Sequence, residues 1–417
     1  MNMQSGRHGD KQAQYSAEAR RRFVSDRVAT RLVLNFSGFE NTSVHALVDR
    51  LARCAEKTGS VFGFTVERSP KDAREADHMS VTDFRSQGSD WRVDTRLVQF
   101  GWFDIVAEYE NSPYPAGFLA NFVKYLAFFA DGTVLRYMRT SKLYFLFSIY
   151  PLVLAVILAA ASLMAVRWIA DWLGLTNWLV PPAAIVFWLI MCRWPGRFFY
   201  MPLTISDWGF ARDMVNRSNP KIDDRMGLFA RRVAEEIASS THDEIVISTH
   251  SFGSLWAIGA LTRALEENPS LLEGKKLRFL ALGSSHLKIA LSPKASWMRD
   301  QLKRVLSEPA LFWHEFQSKD DAIAFYKSDP FKPAGLSGDP DRYKIDRVRF
   351  KRGMTPARYR HMKRSLYRTH GQYVRYYDNP VDFDFGIRLF GPFDTRSLAA
   401  TPHIVKLLAS DQKARPG

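Results

Sequence analysis

Glu244-Ile245-Val246-Ile247-Ser248-Thr249-His250-Ser251-Phe252-Gly253-Ser254 decides how this chain folds. Glu244–Thr249 is a compact apolar run rich in β-branched side chains, which predicts a buried strand. Phe252–Leu265 follows at once, with Leu255, Ile258, Leu261 and Leu265 on one helical face. Ser251 therefore stands on a strand-to-helix turn, with the small residues Thr249 and Gly253 two positions to either side. A tight turn of this kind lifts a serine hydroxyl above the sheet edge and aims it at the helix N-terminus. The positive end of that helix stabilises developing negative charge. The plainer role for the same serine is a helix cap.

The pattern repeats to either side. Phe229, Val233 and Ile237 mark an amphipathic helix upstream, and Leu277–Leu282 and Phe312–Phe316 are further strand-like runs downstream. Near the N-terminus, Arg31–Phe36 is a short strand. A helix capped by Asn41 or Thr42 follows, carrying Val44, Leu47, Val48, Leu51 and Ala55. Ser60–Val66 then reads as a second strand, which makes a βαβ unit with parallel pairing. The stretch 69–95 is polar and irregular and reads as a surface excursion. The fold class is α/β: a mainly parallel sheet flanked by helices, interrupted by a two-helix transmembrane hairpin.

The hairpin rests on two uncharged stretches. Leu143–Val166 holds 24 consecutive residues without a formal charge. As a helix it is about 36 Å long, against a hydrocarbon core of about 30 Å. Pro151 falls near its start, and a buried core helix is the alternative. Trp172–Cys192 adds 21 uncharged residues. Pro181 and Pro182 suit a first helical turn, so this helix is expected to start near Asn177, run to Trp194 and end at Pro195-Gly196. A shallow re-entrant hairpin is the alternative to a second full span. Arg136, Arg139 and Lys142 precede the first stretch, and Arg193 and Arg197 follow the second. The positive-inside rule then places the soluble segments in the cytoplasm. Trp168, Trp172, Trp178 and Trp194 suit an interfacial aromatic belt, or else pack in a core. The divisions expected are a polar basic tail over 1–30, the first part of the α/β domain over 31–142, the hairpin over 143–200, the second part over 201–400 and a tail over 401–417.

Composition narrows the function. With 417 residues, 46% apolar and 24% charged, the chain is neither disordered nor collagen-like. The first 26 residues lack the apolar core of a secretion signal. Two cysteines, Cys54 and Cys192, are too few for a disulfide framework or a four-ligand zinc site, and no metal-ligand spacing is present, so neither metal nor cofactor is expected. A net charge of +15 favours an anionic partner surface. Much of that charge lies in 342–368, where eleven Lys or Arg face one acid, Asp346. Beside a membrane hairpin, anionic lipid head groups explain this run better than nucleic acid, for which no motif is present, and a merely solvated basic face is the alternative.

The Ser251 turn resembles the nucleophile elbow of the α/β-hydrolase superfamily, in its lipase and esterase style. The resemblance covers Arg31–Phe39 and residues from about 223 to 375, with Thr249 standing where the first glycine of the elbow usually is. It implies a serine hydrolase of ester-type, possibly lipid-derived, substrates, with chain order serine, acid, histidine. The turn after the strand 312–316 offers Asp321, or Asp320, as the acid. His370 is the first choice of base, expected on a loop just after a basic helix over 356–368 capped by Thr355, ahead of His403 and of His361 on that helix. The oxyanion hole implied is the backbone N–H of Phe39 and of Phe252, with Ser37 in the place of the usual histidine. An acyltransferase using the same serine, or a hydrolase-fold membrane scaffold without catalysis, are the other functions expected of such a chain.

Overall fold

The computed structural model describes residues 27–69, 78–401 and 405. It contains one eight-stranded sheet in the order β2-β3-β4-β1-β5-β6-β7-β8. The strands are β1 Thr30–Phe36, β2 Thr65–Arg68, β3 Met79–Gln87, β4 Arg92–Phe100, β5 Glu244–His250, β6 Leu277–Leu282, β7 Leu311–Ser318 and β8 Tyr343–Val348. From β4 through β1 to β8 every pairing is parallel, and β2, β3 and β4 pair antiparallel. Strands before and after the apolar hairpin thus share one sheet, with β1 hydrogen-bonded to both β4 and β5.

The central strands are apolar on both faces because helices cover both. Leu32, Leu34, Phe36, Ile245, Ile247 and Phe279 point into one core, whereas Val33, Val246, Leu280 and Leu282 point into the other. This is the period-2 alternation of strand side chains, buried twice over. Each fully buried Val, Leu, Ile or Phe contributes about 1.5–3 kcal/mol.

The N-terminal third departs from the sequence reading. Ser60–Phe62 are the last turn of helix α1, Val44–Phe62, which Gly63 ends at φ 75°. Only Thr65–Arg68 is strand, and it lies at the sheet edge, antiparallel to β3 instead of parallel to β1. Ser43, not Asn41 or Thr42, caps α1, its hydroxyl accepting from the Ala46 amide. The stretch 69–95 carries β3 and the start of β4 as an ordered hairpin, with residues 70–77 outside the described residues.

Between β4 and β5 run helices α2 Phe103–Glu110, α3 Ala116–Ala130, α4 Thr133–Thr140, α5 Lys142–Leu173, α6 Val180–Arg193, α7 Met201–Asn216 and α8 Pro220–Ser239. Lys142–Leu173 and Asn177–Phe198 are long and apolar enough to cross a membrane by length and composition. The second continues past Pro195-Gly196, where it was expected to end, through the helical turn Pro195–Phe198. The two are pinned together where the Trp188 indole N–H donates to the Ala155 carbonyl (3.0 Å). Trp168, Trp172, Trp178 and Trp194 are 63–76% exposed, which removes the reading that they pack in a core.

Candidate active site

The parallel strands all deliver their carboxyl ends to one edge of the sheet, where α/β folds gather functional loops. The loops after β1, β5, β6 and β7 meet there.

Ser251 lies between β5 and helix α9, Gly253–Glu267. Its backbone sits at φ 54°, a left-handed conformation that costs a non-glycine residue on the order of 1–3 kcal/mol. Surrounding hydrogen bonds hold it there. Its N–H donates to Leu282 O (3.2 Å), and its carbonyl accepts from the Ser285 amide (3.1 Å) and the Ser254 hydroxyl (2.8 Å). Gly253 must be glycine, since a Cβ there would lie 2.1 Å from Phe36 O. Thr249, two residues before Ser251, is a strand residue whose buried hydroxyl donates to Leu280 O (3.2 Å).

After β7, Asp321 is fully buried. One carboxylate oxygen accepts from the Ile323 amide (2.9 Å) and the other lies 2.8 Å from His370 Nδ1. With Nδ1 carrying its proton toward Asp321, Nε2 is the acceptor face of the ring. That Nε2 is buried and has no hydrogen-bond partner among the described residues. His370 ends a short helix, Leu366–His370, and is not on the loop expected. The single basic helix expected over 356–368 is broken at Arg364-Ser365 into Pro356–Lys363 and Leu366–His370, with Ser365 capping the second. Thr355 is at the N-cap of the first piece but makes no side-chain capping bond.

Asp320 is engaged elsewhere, accepting from Tyr359 OH (2.7 Å). His361 is exposed, with Nε2 accepting from Arg368 (2.5 Å). His403 lies outside the described residues.

Ser251, His370, Phe39 and Phe252 line one cavity of about 280 Å³. The Phe39 loop is held against the elbow: the Trp102 indole N–H donates to Ser37 O (3.2 Å), and a Cβ on Gly38 would meet Ser251 Cβ at 3.1 Å. Among the described residues, neither the Phe39 nor the Phe252 amide donates to a protein acceptor. The Ser251 hydroxyl pairs with Ser285 Oγ (3.2 Å) and not with His370.

Several lining residues were not anticipated. Lys288 and Asp207 form an ion pair at 2.8 Å with side chains only 2% and 8% exposed. Burial pushes the Asp207 carboxyl up and the Lys288 ammonium down, each partner opposing the shift of the other. The ammonium also lies over the Trp208 and Phe252 rings, 3.9 and 4.9 Å from their centroids. Arg50 grips Glu40 bidentately (2.6 and 2.8 Å) at the same cavity. His250 Nε2 is 3.0 Å from the His370 carbonyl, and burial, aided by His370, pushes its imidazole down to about 3. Behind Ser285, Glu315 takes hydrogen bonds from the Ser284 hydroxyl (2.5 Å) and the Trp313 indole (3.0 Å), and burial pushes it up to about 7. The one sequence signal for any of these was Lys288, a lone charge inside Leu287–Leu291. Among the described residues, no group of three or more His, Cys, Asp or Glu is placed to hold a metal.

Comparison with known proteins adds nothing to the geometry, since no family model, curated protein or solved structure matches the chain.

Proposed function

We propose that the chain is a membrane-anchored serine hydrolase of the α/β-hydrolase type, cleaving an ester-type substrate through an acyl-enzyme. One observation carries the reading. A strained serine at a strand-to-helix turn shares a cavity with a histidine whose Nδ1 is held by a buried aspartate and whose Nε2 is unpartnered. Asp321 fixes the His370 tautomer, so Nε2 takes the Ser251 proton as the oxygen attacks the carbonyl. The Phe39 and Phe252 amides receive the oxyanion. His370 then protonates the leaving alcohol, and water attacks the acyl-serine by the same route in reverse. The apolar hairpin supplies the anchor, with the α/β domain on the cytoplasmic side.

The Ser251–Ser285 hydrogen bond favours a second reading, a hydrolase-fold scaffold without catalysis. Catalytic contacts often close only when substrate is bound, so this bond does not decide against the first reading. Turnover of a short-chain p-nitrophenyl ester by the detergent-solubilised full chain separates the two. The hydrolase reading expects activity that Ser251→Ala removes, whereas equal rates for both proteins would leave only the scaffold.

A further inference from the structure

A second concavity, of about 510 Å³, lies on the flank of the apolar hairpin. One wall is the α5 face bearing Leu146, Ile149, Val153 and Ile157. Phe198 and Phe199 form part of the other, and Lys363 and Arg364 also line it. Leu146, Val153, Ile157, Phe198 and Phe199 are strongly exposed, from Val153 at 49% to Phe198 at 74%, and Ile149 is half-buried. Large apolar groups left in water forgo about 25 cal/mol per Å², so this groove is built for an apolar occupant.

Length and charge choose the occupant. Leu146 to Ile157 spans about 16 Å of helix, half of a hydrocarbon core of about 30 Å, so the groove has the depth of one leaflet. Arg364 is exposed and makes no ion pair among the described residues, and Lys363 donates to the Asp320 carbonyl (3.4 Å) with the Asp320 carboxylate 3.7 Å away. Other cations of the 342–368 run are spent inside the protein: Arg342 on Asp339, Lys344 on Asp346 and Arg358 on Asp378. At this groove the cation of the run that makes no ion pair among the described residues is Arg364.

We infer that the groove seats an anionic glycerophospholipid, with an acyl chain along α5 and the phosphate against Arg364 and Lys363. The seat adjoins the Ser251 cavity. Tyr150 OH hydrogen-bonds Thr204 Oγ1 (2.6 Å), which in turn bonds Tyr367 OH (2.8 Å). Tyr150 lines the groove and Tyr367 lines the cavity, so this chain of three side chains is a wall common to both.

The test is native mass spectrometry of the full chain released from micelles holding equal phosphatidylglycerol and phosphatidylcholine with matched acyl chains. The wild type is expected to retain phosphatidylglycerol in excess. Arg364→Glu should cut that excess at least fivefold, the factor set by one basic residue at a lipid surface. Val153→Trp, which fills the groove from an exposed position, should lower retention of both lipids. Unchanged melting temperatures show that both variants fold. An excess of phosphatidylglycerol that survives Arg364→Glu, or lipid retention unaffected by Val153→Trp, overturns the proposal. Fluorophosphonate labelling of the same samples reads the hydrolase proposal separately. Retained lipid without labelling supports the seat and sinks only the hydrolase, and labelling without retained lipid does the reverse.

Discussion

The Ser251 cavity and the tip of the apolar hairpin each hold an ion pair of ordinary length. Lys288–Asp207 is 2.8 Å long with side chains 2% and 8% exposed, and Arg167–Asp171 is 3.1 Å long with side chains 52% and 58% exposed. Their surroundings make them different objects. At the tip, water solvates both charges, and the pair contributes a few tenths of a kcal/mol. At the cavity, each charge has given up its water and depends on the other. Losing one partner there costs about 3–5 kcal/mol, although the pair as a whole can be neutral or even unfavourable relative to apolar residues. The cavity stores polar groups at high individual risk, and the hairpin carries almost none.

The largest effect expected follows from that risk. Asp321→Asn keeps the shape of the cavity but reverses the hydrogen bond to His370 Nδ1, turning the proton onto Nε2. Ester turnover should fall about 10⁴-fold with little change in melting temperature. A fall of less than tenfold would separate Asp321 from the chemistry.

Lys288→Met comes next. It strands the Asp207 carboxylate, whose other oxygen already lacks a hydrogen-bond partner among the described residues. A loss of about 3–5 kcal/mol in denaturant unfolding is expected, and Asp207→Leu added to it should restore most of the loss. If the double variant is no more stable than the single one, burial is not what governs the pair.

Glu315→Gln tests burial by pH. Glu315 in the folded chain titrates near 7, against about 4.3 for an exposed glutamate. Between those values the folded state holds a proton that the unfolded state has lost. Stability therefore falls as pH rises from about 4.5 to 7, by roughly 3 kcal/mol from this group. Glutamine can still accept from Trp313 and donate to Ser284, so the variant should lose that slope and gain on the wild type at pH 8. Parallel stability profiles for the two proteins would contradict the assignment.

The smallest effect belongs to the tip. Asp171→Ala should change stability by less than about 0.5 kcal/mol. A loss of 2 kcal/mol or more would mean that the tip pair is desolvated after all, and the contrast between the two regions would disappear.

Legibility in the sequence follows the same contrast. The hairpin could be read because its two helices are apolar almost throughout and long enough to cross a membrane. Strands β5 and β6 could be read because burial on both faces leaves hardly a polar position, as Leu277–Leu282 shows, with all six residues buried. Strand β3 could not. Its inward positions are Ser80, Thr82, Phe84 and Ser86, so only one apolar side chain in four marks the buried face. The end of α1 was misread because Val61-Phe62-Gly63-Phe64 is strand-like locally, and only the left-handed Gly63 shows where the helix stops.

At the candidate site, the Ser251 turn was legible from its strand and helix, and Asp321 and His370 were named from the chain order that the hydrolase resemblance implies. The structure brings these two together at 2.8 Å and leaves Asp320 and His361 elsewhere. Asp207 and Lys288 were hidden because they meet across 81 positions of chain, from two separate helices, Met201–Asn216 and His286–Ala290.

The most direct test of the central claim is the site of covalent attack. Full-length protein in detergent, treated with a fluorophosphonate and digested, should carry one adduct, on the peptide containing Ser251. Ser251→Ala should carry none, and His370→Ala should be labelled far more slowly. No adduct on folded wild type, or an adduct that persists in Ser251→Ala, would contradict a serine hydrolase built on this turn.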